Sequence, residues 1–471
     1  MQLNVEYVLG IALVLSTLFC LLLLALPSQY DPRLERSRRA SSASLKGGHR
    51  KSKSKISVQV VVLGDIGRSP RMQYHALSIA KHGARVDIIG YKESDVHPEI
   101  QSDELINVVP IPPLPKRLRA SNRLLFVFTA PFKILWQVLS LYYVLGYGTK
   151  PAKWMLVQNP PSIPTLALAW FVCFFRNTRL VIDWHNFGYS ILALKLGPSH
   201  PLVRISARYE AIFSRFAFTH FAVTDAMARL MKEQYNVIAL PLHDRPPMHF
   251  QPLTQEQRDS FLGRLPETAK FAEEVKTGGA KIVVSSTSWT ADEDFSILLD
   301  ALVAYSSEAS LVASRLPRII AIITGKGPQK EHYLSRIKSL TDQNKLSKAV
   351  IQTAWLSASD YALLLGAADL GVSLHTSSSG VDLPMKVVDM FGTGLPVVGW
   401  SDFEAWPELV QEGVNGRGFK SSDQLKQLLV DLLNEGAGQL DKLREGALRE
   451  CGRRWDEEWD PVAGRVLGLA H

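Results

Sequence analysis

The chain has only three cysteines in 471 residues, Cys20, Cys173 and Cys451, too few and too scattered for a disulfide framework or a cysteine-built metal site. It contains no Asn-x-Ser/Thr acceptor, which agrees with a body held in the cytosol. It has no G-x-G-x-x-G, and this weighs against a dinucleotide-dependent dehydrogenase. Positive charge is also scarce outside one place. The formal charge is +8, but nine Lys or Arg stand against Asp31 and Glu35 between residues 31 and 55, a local net of +7, so the remainder is close to neutral. That Ser-rich basic segment has no aromatic residue for base stacking, which argues against a nucleic-acid partner.

Residues 7–26, YVLGIALVLSTLFCLLLLAL, are twenty in a row without a charge, enough for a helix to span the hydrocarbon core of a bilayer. A cleaved signal peptide is the alternative. Its basic n-region is missing, since Glu6 alone is charged before the run. The basic segment just after the run predicts an uncleaved membrane anchor with the C-terminal body on the cytosolic side. The same cations suit an anionic lipid surface.

The length left after the anchor predicts roughly two domains of about 200 residues. ISVQVVVLG (56–64), a helical stretch over 70–82 and ARVDIIGY (84–91) open a parallel α/β sheet, continued by WMLVQ, RLVID and THFAV. A second set, KIVVSS, IIAIIT, a strand near Val350, DLGVSL and LPVVG, follows a polar, turn-rich stretch over 241–279 that reads as a connector. The predicted organisation is an anchor (1–29), a basic linker (30–55), a Rossmann-like domain (56–240), the connector, a second Rossmann-like domain (280–440) and a C-terminal helix (441–471) packing back on the first domain. Ligands of such sheets bind at the C-terminal ends of the strands. The apolar stretches 124–147 and 163–175 read either as buried helices or as a surface that dips into a membrane.

Five strand ends carry chemistry. In GDIGRSPRM, Gly67, Arg68, Ser69 and Arg71 surround a helix start with Pro70 at its first position, a fitting cradle for a pyrophosphate. In DWHNFGYS, His185 stands as a general base, with Asn186 and aromatics beside it for sugar contact; a histidine fixed for structural reasons is the competing reading. SSTSWTADEDF spells D-x-D at Asp292 and Asp294, acids better explained by the first turn of a helix than by a metal. TGKGPQK offers Gly325, Lys326 and Gly327 as a turn able to approach phosphate, without P-loop spacing. Finally, SSGVDLPMKVVDMFG runs from Ser379, Gly380 and Asp382 into a helix on which Lys386 and Asp389 share a face, Lys386 suited to a diphosphate and Asp389 to ribose hydroxyls.

VVVLGDIGRSPRMQYHALSIA, VIDWHNFGYSIL, SSTSWTADEDFSILLDAL and SSGVDLPMKVVDMFG, taken together and in this order, resemble the chitobiosyldiphosphodolichol beta-mannosyltransferase family over the whole chain after the anchor. The resemblance implies a GT-B glycosyltransferase, two doubly wound domains facing across a cleft with an N-terminal transmembrane helix, on the cytosolic face of the endoplasmic reticulum. It implies inverting transfer of mannose from GDP-mannose to dolichyl-diphosphate chitobiose, the first mannosylation of the N-glycan precursor, beside other dolichol-pathway glycosyltransferases. No tightly bound cofactor is implied, a divalent ion entering only as a stimulant. Many GT-B enzymes carry Glu-x7-Glu, and Asp389 stands in the second place. The first falls on Val381, with Asp382 beside it, and Lys326 or Lys386 substitutes for the phosphate-binding cations absent from SSTSWTADEDF. A transferase using another nucleotide sugar, such as a UDP-sugar, and a non-catalytic membrane-anchored subunit are the rival readings.

Overall fold

The computed structural model describes residues 7, 10, 12–17, 20, 26–33, 56–115, 123–290, 293–310, 316–434 and 438–470. Most of the basic linker and Asp292 lie outside these residues. So does much of the apolar run 7–26; its described positions 7, 10, 12–17 and 20 are helical and exposed. Among the described residues no helix is long and apolar enough to cross a membrane. The chain divides into two compact units, one of residues 1–184, 204–220 and 464–471, the other of 185–203 and 221–463.

The first sheet is parallel, in the order β3-β2-β1-β4-β5-β6-β7, with β1 Ser57–Asp65, β2 Arg85–Tyr91, β3 Ile106–Pro110, β4 Trp154–Asn159, β5 Arg179–Trp184, β6 Thr219–Ala222 and β7 Leu240–Pro241. Strand β1 is central, in register with Val86 and Trp154 at Val58. Its run of β-branched residues is buried without alternation because helices cover both faces. Helix α1 (Pro70–Lys81) starts on Pro70, where the missing N–H costs nothing. Helices α2 (Arg123–Tyr143) and α3 (Thr165–Arg176) carry the long apolar stretches. The chain end returns to this unit, where Trp154 Nε1 donates to the Leu467 carbonyl at 3.1 Å.

The second sheet is also parallel, in the order β10-β9-β8-β11-β12-β13, with β8 Ala280–Ser286, β9 Arg318–Thr324, β10 Ala349–Ala354, β11 Leu370–Ser373, β12 Val397–Trp400 and β13 Gly416–Phe419. Alternation along the strands divides its core. Ile282 and Val284 of β8 join Ile320 and Ile322 of β9 on one face, while Val283, Ile319, Ala321 and Ile323 line the other. The stretch expected to be a connector belongs to this core. Thr254 and Gln257 form a capping box on helix Gln255–Arg264, and Phe261, Leu262, Leu265, Phe271 and Val275 are buried against β8 and its neighbours. Polar composition hid these apolar residues at helical spacing.

Candidate functional site

The sheet of the second unit places the C-terminal ends of β10, β9, β8 and β11 side by side, and β8, β9 and β11 continue into loops singled out in the sequence. The loops after β8 and β9 interlock. A Cβ on Gly325, whose φ is +127°, would lie 1.8 Å from the Thr287 carbonyl oxygen, and one on Gly327 would lie 1.7 Å from that of Ser288. These glycines therefore serve the approach of one loop to another. Between them, Lys326 Nζ lies 3.9 Å from the ring centroid of Trp355, an indole 63% exposed just past β10.

Glu293 is buried under this edge. Its carboxylate accepts from Thr287 Oγ1 at 2.9 Å and from the Ser288 backbone N–H, and it pairs with Lys386 Nζ. Lys386 thus reaches back to the loop after β8 instead of facing Asp389 along its own helix, α11 (Met385–Gly392). Asp294 caps helix Phe295–Ala309, accepting from Ser296 N at 2.9 Å and from Tyr333 Oη at 3.1 Å. The sequence reading placed this acid in the first turn of the helix; it stands one position earlier, at the N-cap.

The loop between β11 and α11 is organised by Asp382, which is 5% exposed. It accepts from His375 Nε2 at 3.0 Å, from Ser379 Oγ at 3.1 Å and from Ser377 Oγ. Burial alone would push its carboxyl up, but these donors hold it below the ordinary carboxylate range. Outside groups fix the loop as well. Thr224 Oγ1 donates to the Val381 carbonyl at 2.6 Å and Asn186 Nδ2 to Ser378 Oγ at 3.0 Å, so Asn186 is spent on the Ser-rich loop. Gly380, at φ +78°, forms the turn and has open space around it. Asp389, half-buried on α11, is different in kind: burial and the charge of Asp244 push its carboxyl up to about 8, and no hydrogen-bond partner meets it among the described residues. Ser286 and Tyr361 share a hydrogen bond of 3.0 Å nearby.

The first unit arranges its own candidates otherwise than expected. Asp65, the last residue of β1, fills the cradle itself, accepting from the N–H groups of Gly67 at 3.3 Å and of Glu93 and Ser94 at 3.1 Å each. Ser69 stands at the N-cap position but makes no side-chain cap; its hydroxyl donates to the Asp65 carbonyl. Arg71 is buried and forks onto Asp183, both bonds 2.8 Å. Of the set, Arg68 is the exposed cation, its side chain 81% accessible. His185, half-buried just past β5, falls within the second unit.

A relative from Arthroderma benhamiae, named chitobiosyldiphosphodolichol beta-mannosyltransferase, is 50% identical over 419 residues, 88% of this chain and 91% of its own. The human protein of that name is 40% identical over 87% of this chain and 92% of its own. The chain belongs to the chitobiosyldiphosphodolichol beta-mannosyltransferase family.

As a member of the beta-mannosyltransferase family it is a glycosyltransferase, and residues 282–435 match the family described as Glycosyl transferases group 1. Among solved structures it is similar to Anabaena HepE in complex with UDP and glucose, at TM-score 0.61, 15% identity and coverage of 88% of this chain and 100% of that one. WaaG, a glycosyltransferase involved in lipopolysaccharide biosynthesis, gives TM-score 0.54 at 14% identity, covering 88% of this chain and 99% of its own. These are likenesses of fold alone, two parallel-sheet α/β domains of the GT-B kind. In the beta-mannosyltransferase site, sequence reasoning missed Glu293 as the anchor of Lys386, Trp355 under Lys326, and His375 on Asp382. Only His375 had a local signal, a histidine just past a strand and seven residues before an acid.

Proposed function

We propose that the chain transfers mannose from GDP-mannose to dolichyl-diphosphate chitobiose with inversion, giving the β1,4-linked product, at the cytosolic face of the endoplasmic reticulum membrane. The apolar run 7–26 serves as its anchor and other dolichol-pathway glycosyltransferases as its neighbours. The observation that carries the reading is identity of 50% across 88% of the chain to a relative named chitobiosyldiphosphodolichol beta-mannosyltransferase. The strand-end loops of the second unit support it. Asp389, without a hydrogen-bond partner among the described residues, offers a largely protonated carboxyl to the ribose hydroxyls, and Ser379, Gly380 and the start of α11 offer hydroxyl and backbone donors to the diphosphate. His185 serves as the base. The acceptor's 4-hydroxyl oxygen bonds to mannose C1 as its proton passes to that base, and the C1–O bond to GDP breaks with its electron pair staying on the diphosphate. Protein donors meet that charge, a divalent ion acting as a stimulant rather than a resident cofactor.

The test is transfer of radiolabelled mannose from GDP-mannose to a phytanyl-diphosphate chitobiose by the full chain in detergent, beside its Asp389→Ala variant. Product from the parent and a loss of roughly a hundred-fold in kcat/KM for the variant are expected, the cost of about 3 kcal/mol of hydrogen bonding to the ribose. Folded parent protein that labels no acceptor from GDP-mannose, while UDP-sugars or no donor at all are used, would sink the reading.

A further inference from the structure

His375 lies two residues past β11, in the loop that leads to α11. Through Nε2 it meets Asp382, whose carboxylate is also occupied by Ser377 and Ser379 and is therefore spent within the loop. The imidazole is 19% exposed, and its other nitrogen, Nδ1, has no hydrogen-bond partner among the described residues. A buried carboxylate that fixes a ring through one nitrogen and leaves the other at the surface is an orienting device. Packing alone does not require it. The ring stands at a strand end, where open α/β sheets hold their ligands, and on the same loop as the start of α11, which no side chain caps. Backbone N–H groups there favour an anion.

We propose that His375, oriented through Nε2 by Asp382, donates from its Nδ1 edge to the diphosphate of the bound nucleotide sugar as the sugar departs. This rests on the transferase reading above. In the step, the C1–O bond to the diphosphate breaks and its electron pair stays with the diphosphate, while the acceptor oxygen forms the new bond and releases its proton to the base. With one N–H on Asp382 and the other on the diphosphate, His375 acts as an imidazolium and keeps both ring protons. Its hydrogen bond strengthens as charge builds on the leaving oxygen, so it acts on the rate more than on donor binding.

Two substitutions separate ligand contact from loop architecture. His375→Gln places an amide N–H where Nε2 stood, keeping Asp382 satisfied, but offers nothing at the Nδ1 edge. His375→Asn places an amide near Nδ1 and cannot reach Asp382. With GDP-mannose and the full chain, His375→Gln is expected to melt with the parent yet lose roughly ten- to hundred-fold in kcat. Its GDP affinity, read by calorimetry, falls several-fold, and His375→Asn recovers part of the rate. A His375→Gln protein with parental kcat and parental GDP affinity overturns the proposal and leaves the transferase reading intact. Parent protein that binds GDP but transfers no mannose defeats that reading, and the GDP affinities of the two variants still decide whether His375 meets the diphosphate.

Discussion

Arg71 has almost no contact with solvent, and its guanidinium is committed twice over to Asp183, which also meets His75 at 3.2 Å. Removing one partner of such a pair leaves the other charge buried and uncompensated, at a cost of about 3–5 kcal/mol. Arg71→Ala should therefore lower the thermal midpoint of the first unit by several degrees, and any loss of transfer should track the loss of folded protein. A parental midpoint with reduced acceptor affinity would instead return Arg71 to the acceptor site. The pair also marks a limit of reading single residues. Pro70 at the first turn of α1 and Thr224 capping its helix were or could be read locally, because caps act over three residues. Arg71 and Asp183 are 112 residues apart, and each sits beside a motif that suits ligand chemistry. Nothing local says that they bond to one another.

Elements of the second unit meet at His243, on the segment after β7. Its Nδ1 lies 2.9 Å from Glu458, and its Nε2 lies 3.4 Å from Glu408 and 3.5 Å from Asp225. Arg245 adds contacts to Glu450 at 2.8 Å and Glu458 at 3.4 Å. Glu408 also accepts from the N–H groups of Asp225 and Ala226, both at 2.7 Å, at the start of helix Asp225–Tyr235. Hydrogen bonds to Glu408 and Glu458 push His243 up to about 9 against the opposing effect of burial. Burial would raise Glu458, but the bond from His243 and the charge of Arg245 bring it to about 2. For His243 the folded value exceeds the unfolded one, so its stabilisation is complete below about pH 6.5 and fades as pH rises through about 9. For Glu458 it is complete above about 4.5 and fades as pH falls toward about 2. The second unit should be most resistant to urea between roughly pH 5 and 6.5 and lose on the order of 3 kcal/mol by pH 10. His243→Gln should flatten the alkaline limb; a limb of unchanged steepness would assign the loss to other groups. Strand identities were legible because short β-branched runs and strand-end glycines are local signals. The junction was not, since LPLHDRPP looks like a polar turn and its partners stand far along the chain.

For the molecule as a whole, the consequential feature is apolar surface left outside the cores. On α2, Phe132, Ile134, Leu135 and Leu139 are more than half exposed, and on α3 Phe174 is 71% exposed. Ile205 and Ile212 on helix Pro201–Ser214, within residues 204–220 of the same unit, are also more than half exposed, among Arg204, Arg208 and Arg215. The reading of 124–147 and 163–175 as buried helices holds for one face only: Leu141, Leu166, Ala169 and Val172 are buried. A helix that buries one face and exposes aromatic and aliphatic side chains on another, with cations in the same unit, suits the boundary of an anionic bilayer. Composition alone could not separate the faces, because both are apolar. The segment following the run 7–26 is tied to these helices: Tyr30 N donates to the Arg176 carbonyl at 2.7 Å and Arg176 Nε to that of Ser28 at 3.2 Å. A protein beginning at Pro27 keeps those bonds and removes the predicted anchor. It should still float with vesicles containing anionic lipid, and Leu135→Ser with Phe174→Ser should weaken that binding about ten-fold or more, the loss of two large apolar side chains from lipid. Flotation that vanishes with the run 7–26, or that survives the double substitution unchanged, would leave membrane attachment to the anchor or to charge alone.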